Sequence, residues 1–413
     1  YSSNISLRMK YFWIFLSIIL ALAPLSTYAQ NASSDATDFS AWQNSLEEIA
    51  SNNVQIQAYR SQLQAQQAAN GAALRLPDPE AEVAYLFGSP KGIPNRTNVS
   101  LTQTLDWSVI LGRKRALAEA DNQVALQTYR SALQRVLADA DRALTSVVYS
   151  NRLCCELTLR DSIARDILKL YAEKFQRGDI SQLEYNKVRL NASMSQAELA
   201  RAESERIQAQ LALQALNGGK PLDFSSANYP FSAQSLPPMD GLLQMAQLSS
   251  PAVAAAQAAI VQSQAQERVA RAEALPQLTV GFQGEYIRQN NYSGLSVGFT
   301  LPLWGNARQR VRQAQVQTVA NELSHADVQQ QLSQTIRQQY AQAQALQRTA
   351  DELQEELSLT SNDRLLRRSL ELGQISLLDY LLEVSFYYSA RTAQLEAERD
   401  AQLALSQLRG MMY

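Results

Sequence analysis

The chain has 413 residues, a formal net charge of −2, one His and two Cys. It carries no basic patch dense enough for a nucleic acid. His325 and the adjacent Cys154 and Cys155 leave little material for a transition-metal site, and no nucleophile–base set or phosphate loop is present, so no enzyme, cofactor or metal centre is expected. Neighbouring cysteines cannot bridge without strain, so these two read as packing residues.

Residues 9–29 come first. Met9 and Lys10 supply a positive start, Phe12 to Leu25 an apolar core, and Thr27-Tyr28-Ala29 a cleavage region, which together read as a secretory signal. The mature chain is then expected to start at Gln30, with residues 1–8 as upstream sequence. The apolar core is too short for a comfortable membrane span of about 20 residues, and no later apolar run approaches that length. An exported chain of this kind is either soluble or crosses an outer membrane as strands.

A first structural repeat is expected over 30–217. It opens with a helix at about 41–74, followed by a β-hairpin at 77–107. Val83, Tyr85 and Phe87 alternate onto one face, as do Val99, Leu101, Gln103, Leu105 and Trp107 on the partner strand. Residues 113–177 then contain neither Gly nor Pro, and such a run forms a helix on the order of 100 Å long. Tyr129, Leu133, Val136, Ala140, Ala143 and Val147 step by four and three, the seam of a coiled coil. The helix meets Gly178, suited to a left-handed C-terminal residue, and Ser181 with Glu184 three residues later predicts a capping box for a returning helix over 181–217.

A Pro- and Gly-rich linker at 218–240 is too long for a simple turn and is expected to wrap the outside midway along the bundle. The second repeat, over 241–413, copies the first. It has a helix at 241–274, a β-hairpin at 276–304 with Leu278, Val280, Phe282, Leu295, Val297 and Phe299 alternating, a long run at 306–372, a tip and a helix to 409. The two tips match at Gly178/Gly373, Ile180/Ile375, Ser181/Ser376 and Tyr185/Tyr380, and Glu184 and Asp379 are both carboxylates.

The fold class read from these elements is mainly α with a small β part: coiled-coil hairpins in an internal tandem repeat, with four strands per protomer. Strands of about 9–11 residues suit a tilted transmembrane span, with an apolar face to lipid and a polar face to water. Trp107 and Trp304 fall at equivalent strand ends, where an interfacial aromatic belt sits. Four strands cannot close a lumen, and unpaired edges are costly in lipid, so oligomerisation is required. A trimer supplies twelve strands and a continuous helical tube. The competing reading is a non-transporting envelope scaffold, which has no need of the β-hairpins.

In this order of elements the chain resembles the TolC-type outer-membrane efflux proteins. The likeness rests on the two helix–hairpin–helix repeats, the Leu-Pro openings at Leu76-Pro77 and Leu275-Pro276, the Ser250-Pro251 helix start, the strands before Gly112-Arg113 and Gly305, and the paired tips. It implies a homotrimeric exit duct in the bacterial outer membrane that extends into the periplasm as an α-helical barrel. It implies docking to a periplasmic adaptor and an inner-membrane pump, RND type being the first expectation, with small molecules or ions as cargo. A type I protein-secretion duct is the alternative. The compact size is similar to the heavy-metal efflux subgroup. The family's adaptor-docking periplasmic tip maps onto Gly178, Ile180, Ser181, Glu184, Tyr185, Gly373, Ile375, Ser376, Asp379 and Tyr380. Of the two gate acids of some members, the first matches Asp379; the second falls on Leu382, with Glu383 beside it, and a latching Arg is replaced by Ile375. Asp379 is thus either only the capping partner of Ser376 or also part of an acidic ring.

Overall fold

A computed structural model describes residues 32–72, 74–90, 92–230, 238–288, 290–300, 306–359 and 363–411. The expected leader at 9–29 and Trp304 lie outside the described residues.

Two helices, α1 (Ala32–Asn52) and α2 (Val54–Ala72), replace the single helix expected at 41–74. The break is Asn53: its Oδ1 accepts from the Ile56 N–H at 3.1 Å, as a cap does, and its Nδ2 donates to the Leu216 carbonyl at 2.8 Å. Strands β1 (Glu80–Leu86) and β2 (Arg96–Leu105) follow, then a one-turn helix α3 (Trp107–Ile110), the long α4 (Arg113–Gln176) and the returning α5 (Gln182–Leu216). At 64 residues, α4 is about 96 Å long.

The second repeat contains α6 (Met239–Ser249), α7 (Pro251–Glu273), β3 (Gln277–Ile287), β4 (Asn290–Thr300), α8 (Asn306–Leu359), α9 (Asp363–Glu371) and α10 (Leu377–Gly410). The helix expected over 241–274 is broken as well. A residue before Pro is pushed out of the helical region, and Ser250 sits at φ −61°, ψ 116° and caps α7. The run expected at 306–372 appears as α8 and α9, with 360–362 between them outside the described residues.

The helices form a layer four wide. Toward the tips α5 packs on α4, α4 on α10, and α10 on α8; toward the sheet α2 packs on α4, α4 on α7, and α7 on α8. The predicted α4 seam is the one used. Val136, Ala140 and Val147 are buried with Trp42, Leu46 and Ile49 of α1, Leu213 of α5 and Phe224 of the linker, while Tyr129, Leu133 and Ala143 pack at the margin. Each large side chain fully buried there contributes about 1.5–3 kcal/mol.

The four strands form one antiparallel sheet in the order β1-β2-β3-β4. Val99 pairs with Val83 and Gly284, Leu101 with Phe282, Leu278 with Phe299, Val280 with Val297 and Phe282 with Leu295, so the alternating apolar residues share one face. The opposite face carries Glu82, Asn98, Ser100, Thr102, Gln283, Glu285 and Ser296. Leu295 is 90% exposed, Val83 70% and Phe299 68%, an apolar face that the chain itself leaves uncovered.

Candidate functional site

The two helical tips are built alike by the backbone. Gly178 has φ +80° and Gly373 +70°. The Gly178 N–H donates to Phe175 and the Asp179 N–H to Lys174; the Gly373 N–H donates to Leu370 and the Gln374 N–H to Ser369. Both are Schellman endings, which satisfy carbonyls the helices would otherwise leave bare.

The caps differ. Ser181 Oγ accepts from the Glu184 N–H at 3.2 Å, and Glu184 Oε2 accepts from the Ser181 N–H at 2.8 Å, a complete capping box. Ser376 Oγ likewise accepts from the Asp379 N–H at 3.1 Å, but Asp379 Oδ2 meets the Ser376 hydroxyl at 2.6 Å rather than its backbone N–H. The second expected capping box is therefore half formed, because Asp is one methylene shorter than Glu. The Ser181 backbone N–H, then the Ser181 hydroxyl, hold Glu184 below the usual carboxylate range.

The tips share one core. Ile167, Tyr171 and Val188 of the first hairpin pack with Leu370, Leu377, Tyr380 and Val384 of the second, and Ile180 and Ile375 close over the cluster. The paired tyrosines part company: Tyr380 is buried, whereas Tyr185 is half-buried and stacks on Phe175 at 4.9 Å. Asp379 and Glu383 are exposed on α10.

Sequence reasoning missed the polar seam between the hairpins. Arg152 pairs with Glu398 at 2.6 Å and Arg391 with Glu156 at 3.5 Å. Arg160, nearly buried, bonds Glu156, Thr392 Oγ1 and the Tyr388 carbonyl and lies over the Tyr388 ring at 4.4 Å. The four-residue spacing of Arg152, Glu156 and Arg160 was the available signal. Asp141 was missed too: fully buried, it accepts from Trp42 Nε1 at 2.8 Å and from Arg409 Nη2 at 3.0 Å.

At the other end, Trp107 does not finish a strand. It begins α3, and its Nε1 donates to the Pro276 carbonyl at 2.7 Å, tying the end of β2 to the start of β3. Asp106 caps α3; although burial pushes its carboxyl up, bonds from Lys114 and Ser108 hold it below the usual range. Of the two cysteines, Cys154 packs as expected against Leu157 and Ala202, and burial pushes its thiol up; Cys155 is exposed and does not pack. Among the described residues no group of three His, Cys, Asp or Glu is placed to hold a metal, and no helix is long and apolar enough to cross a membrane.

A sheet with one apolar and one polar face, set on a layer of very long helices, defines an outer-membrane channel built partly from strands and partly from helices. The family model for outer membrane efflux proteins matches residues 93–219 and 242–412. The chain belongs to that family, one of efflux channels rather than enzymes. Solved structures of the same fold include the Campylobacter jejuni CmeC outer membrane channel, 17% identical, with 90% of this chain and 85% of that one covered and a TM-score of 0.72. They also include the open state of the Neisseria gonorrhoeae MtrE outer membrane channel, at 20% identity, 90% and 88% coverage and a TM-score of 0.71. The Vibrio cholerae outer membrane protein VceC aligns at 16% identity, 90% and 96% coverage and a TM-score of 0.68. A sequence comparison with curated proteins finds no match.

Proposed function

We propose that three copies of this chain close into the exit duct of a tripartite efflux system, conducting small molecules or ions from the periplasm to the exterior. One observation carries this reading. Among the described residues the sheet ends at β1 and β4, each edge without a strand partner, and its apolar face stands bare. In lipid such edges are satisfied by the neighbouring copy's strands, and twelve strands make a closed barrel with its polar face inward.

The helical layer then continues the bore into the periplasm, within the same two repeats, 30–217 and 241–413, joined by the equatorial linker 218–240. The tips around Gly178, Ile180, Ser181, Glu184 and Tyr185, and around Gly373, Ile375, Ser376, Asp379 and Tyr380, meet a periplasmic adaptor, which couples the duct to an inner-membrane pump of RND type. Their shared core and rigid glycine-and-cap geometry support a docking role. Trp107, and Trp304 by repetition, anchor the barrel at the membrane interface. Fractionation tests the reading: heat-sensitive trimers in the outer membrane, and loss of export on gene deletion, are expected. A soluble periplasmic monomer refutes it.

A further inference from the structure

Resting on the duct reading, we propose that the tip end of the passage is closed by an apolar ring, Leu382 and Phe386 from each of three copies, rather than by a ring of carboxylates. Leu378, Leu382 and Phe386 follow one another at four-residue steps on α10 and are 61%, 53% and 65% exposed. That spacing puts them on one helix face. The opposite face, with Leu377, Tyr380 and Val384, is buried in the tip core. The stripe is therefore left over after the fold has used the helix.

Its position names what covers it. α10 is an inner member of the layer, between α4 on one side and α8 and α9 on the other. The stripe is thus remote from the layer's free edges, where a neighbouring copy packs. Its helix packs the opposite face on Ile167 and Tyr171 of α4, so the stripe faces away from them, and on α4 Asn151 Nδ2 bonds the Ser226 carbonyl of the linker at 3.1 Å. A linker strap on the inner side would obstruct the bore, so the strap is assigned to the outside of the tube and the α10 stripe to its axis. There it meets the same stripe of the two other copies.

Asp379 competes poorly for this role. It spends an oxygen on the Ser376 hydroxyl at 2.6 Å. Leu382 and Phe386 stand deeper along the same helix, toward the bore. Water in a narrow apolar constriction lacks hydrogen-bond partners, so the ring stops ions without its side chains touching, and modest separation of the tips re-wets it. Closure of this kind responds neither to protonation of carboxylates nor to multivalent cations, both of which act on an acidic ring.

The test is single-channel conductance of purified full-length trimers in planar lipid bilayers. Leu382→Ser with Phe386→Ser is expected to raise conductance or open time severalfold, and Leu382→Ala to do so more weakly. Wild-type current is expected to be unchanged by hexaamminecobalt(III) added on the tip side and by acidification into the carboxylate range. Both serines replace exposed side chains, and gel mobility of unheated trimers confirms folding. Unchanged conductance in the folded double variant overturns the proposal, as does cation block of the wild type. Lost export with unchanged conductance also overturns it and makes the stripe a partner-contact surface. A wild type that forms no pore refutes the duct reading itself, an outcome visible before any variant is made.

Discussion

Replacing Asp141 tests whether one buried carboxylate locks the middle of the molecule. Its side chain is 0% exposed, and α1, α4 and the end of α10 converge on it. Trp42 donates to Oδ1 at 2.8 Å; Arg409 donates to Oδ2 from Nη2 at 3.0 Å and Nε at 3.2 Å. Asp141→Ala takes the carboxylate away from an indole N–H and a guanidinium together. Breaking a buried pair by removing one partner costs about 3–5 kcal/mol. The Arg409 side chain keeps 17% exposure, so it can turn part of its fork to water, and the expected cost lies at the lower end, about 3 kcal/mol. Arg409→Ala strands the carboxylate in turn, with the Trp42 bond still in place. The double variant removes both charges and is expected to cost less than the two singles together, by about 1–3 kcal/mol of coupling. Thermal dissociation of detergent-solubilised trimers, at one fixed chain concentration, measures all four corners of the cycle. Single effects that add to within about 0.5 kcal/mol refute the lock.

The tips and the sheet supply further expectations. Gly178→Pro and Gly373→Pro each remove a backbone donor and demand φ near −65° where the chain holds +80° and +70°, so export is expected to fail while trimers still form; unchanged export in both refutes the tip's role. Glu184 has its folded-state pKa lowered by the Ser181 N–H and hydroxyl, so its contribution is present above the unfolded value and lost as pH falls through the folded one. Protection of the first tip's amides, taken relative to their intrinsic exchange rates, is therefore expected to fall as the pH drops through the folded-state titration of Glu184, and Glu184→Gln to abolish that pH dependence. A Cβ on Gly281 would lie 2.6 Å from the Leu101 carbonyl and 2.9 Å from Ser296 Oγ, on two different neighbouring strands. Gly281→Val is thus expected to eliminate heat-sensitive trimers on gels, and trimers of normal mobility would contradict the sheet register.

Much of this molecule was legible because local chemistry and global architecture agree. Gly178 and Gly373 end helices in the one conformation glycine adopts freely, and Ser181 and Ser376 restart them. The α4 seam is a period-3.5 pattern that tertiary packing honours, and the strand faces follow from period two. What escaped notice has a common cause. Asn53 breaks a helix through a bond to Leu216, a partner far away in sequence. Asp141 and Arg409 lie far apart along the chain, and nothing local marks either as buried. Trp107 looks like a strand end because the alternation runs through it, yet Asp106 caps a new helical turn there. The second tip shows the finer limit: Asp and Glu read alike as capping partners, and one methylene decides how many bonds the cap makes.

The repeat also locates the seam between copies. At the spacing that carries Gly178 onto Gly373, Leu213 falls on Leu408 and Ala215 on Gly410, and both leucines are buried. In the second repeat this helix end closes against α4 of the first: a Cβ on Gly410 would come within 2.7 Å of Ala138 Cβ, and Arg409 reaches Asp141. In the first repeat the equivalent end instead borders an open groove of about 620 Å³, lined by Asn53, Val54, Ala212, Ala215, Leu216 and Gly218. The helix that stands to this end as α4 stands to Gly410 is α8, and α8 lies at the far edge of the layer. Within the proposed trimer, α8 of the next copy therefore fills the groove. Ala215 is exposed in the single chain, so Ala215→Trp leaves each protomer folded and obstructs that approach. Chemical crosslinking in detergent is expected to show monomers with undiminished helical circular dichroism. Trimers in wild-type yield from Ala215→Trp would place the seam elsewhere on the molecule.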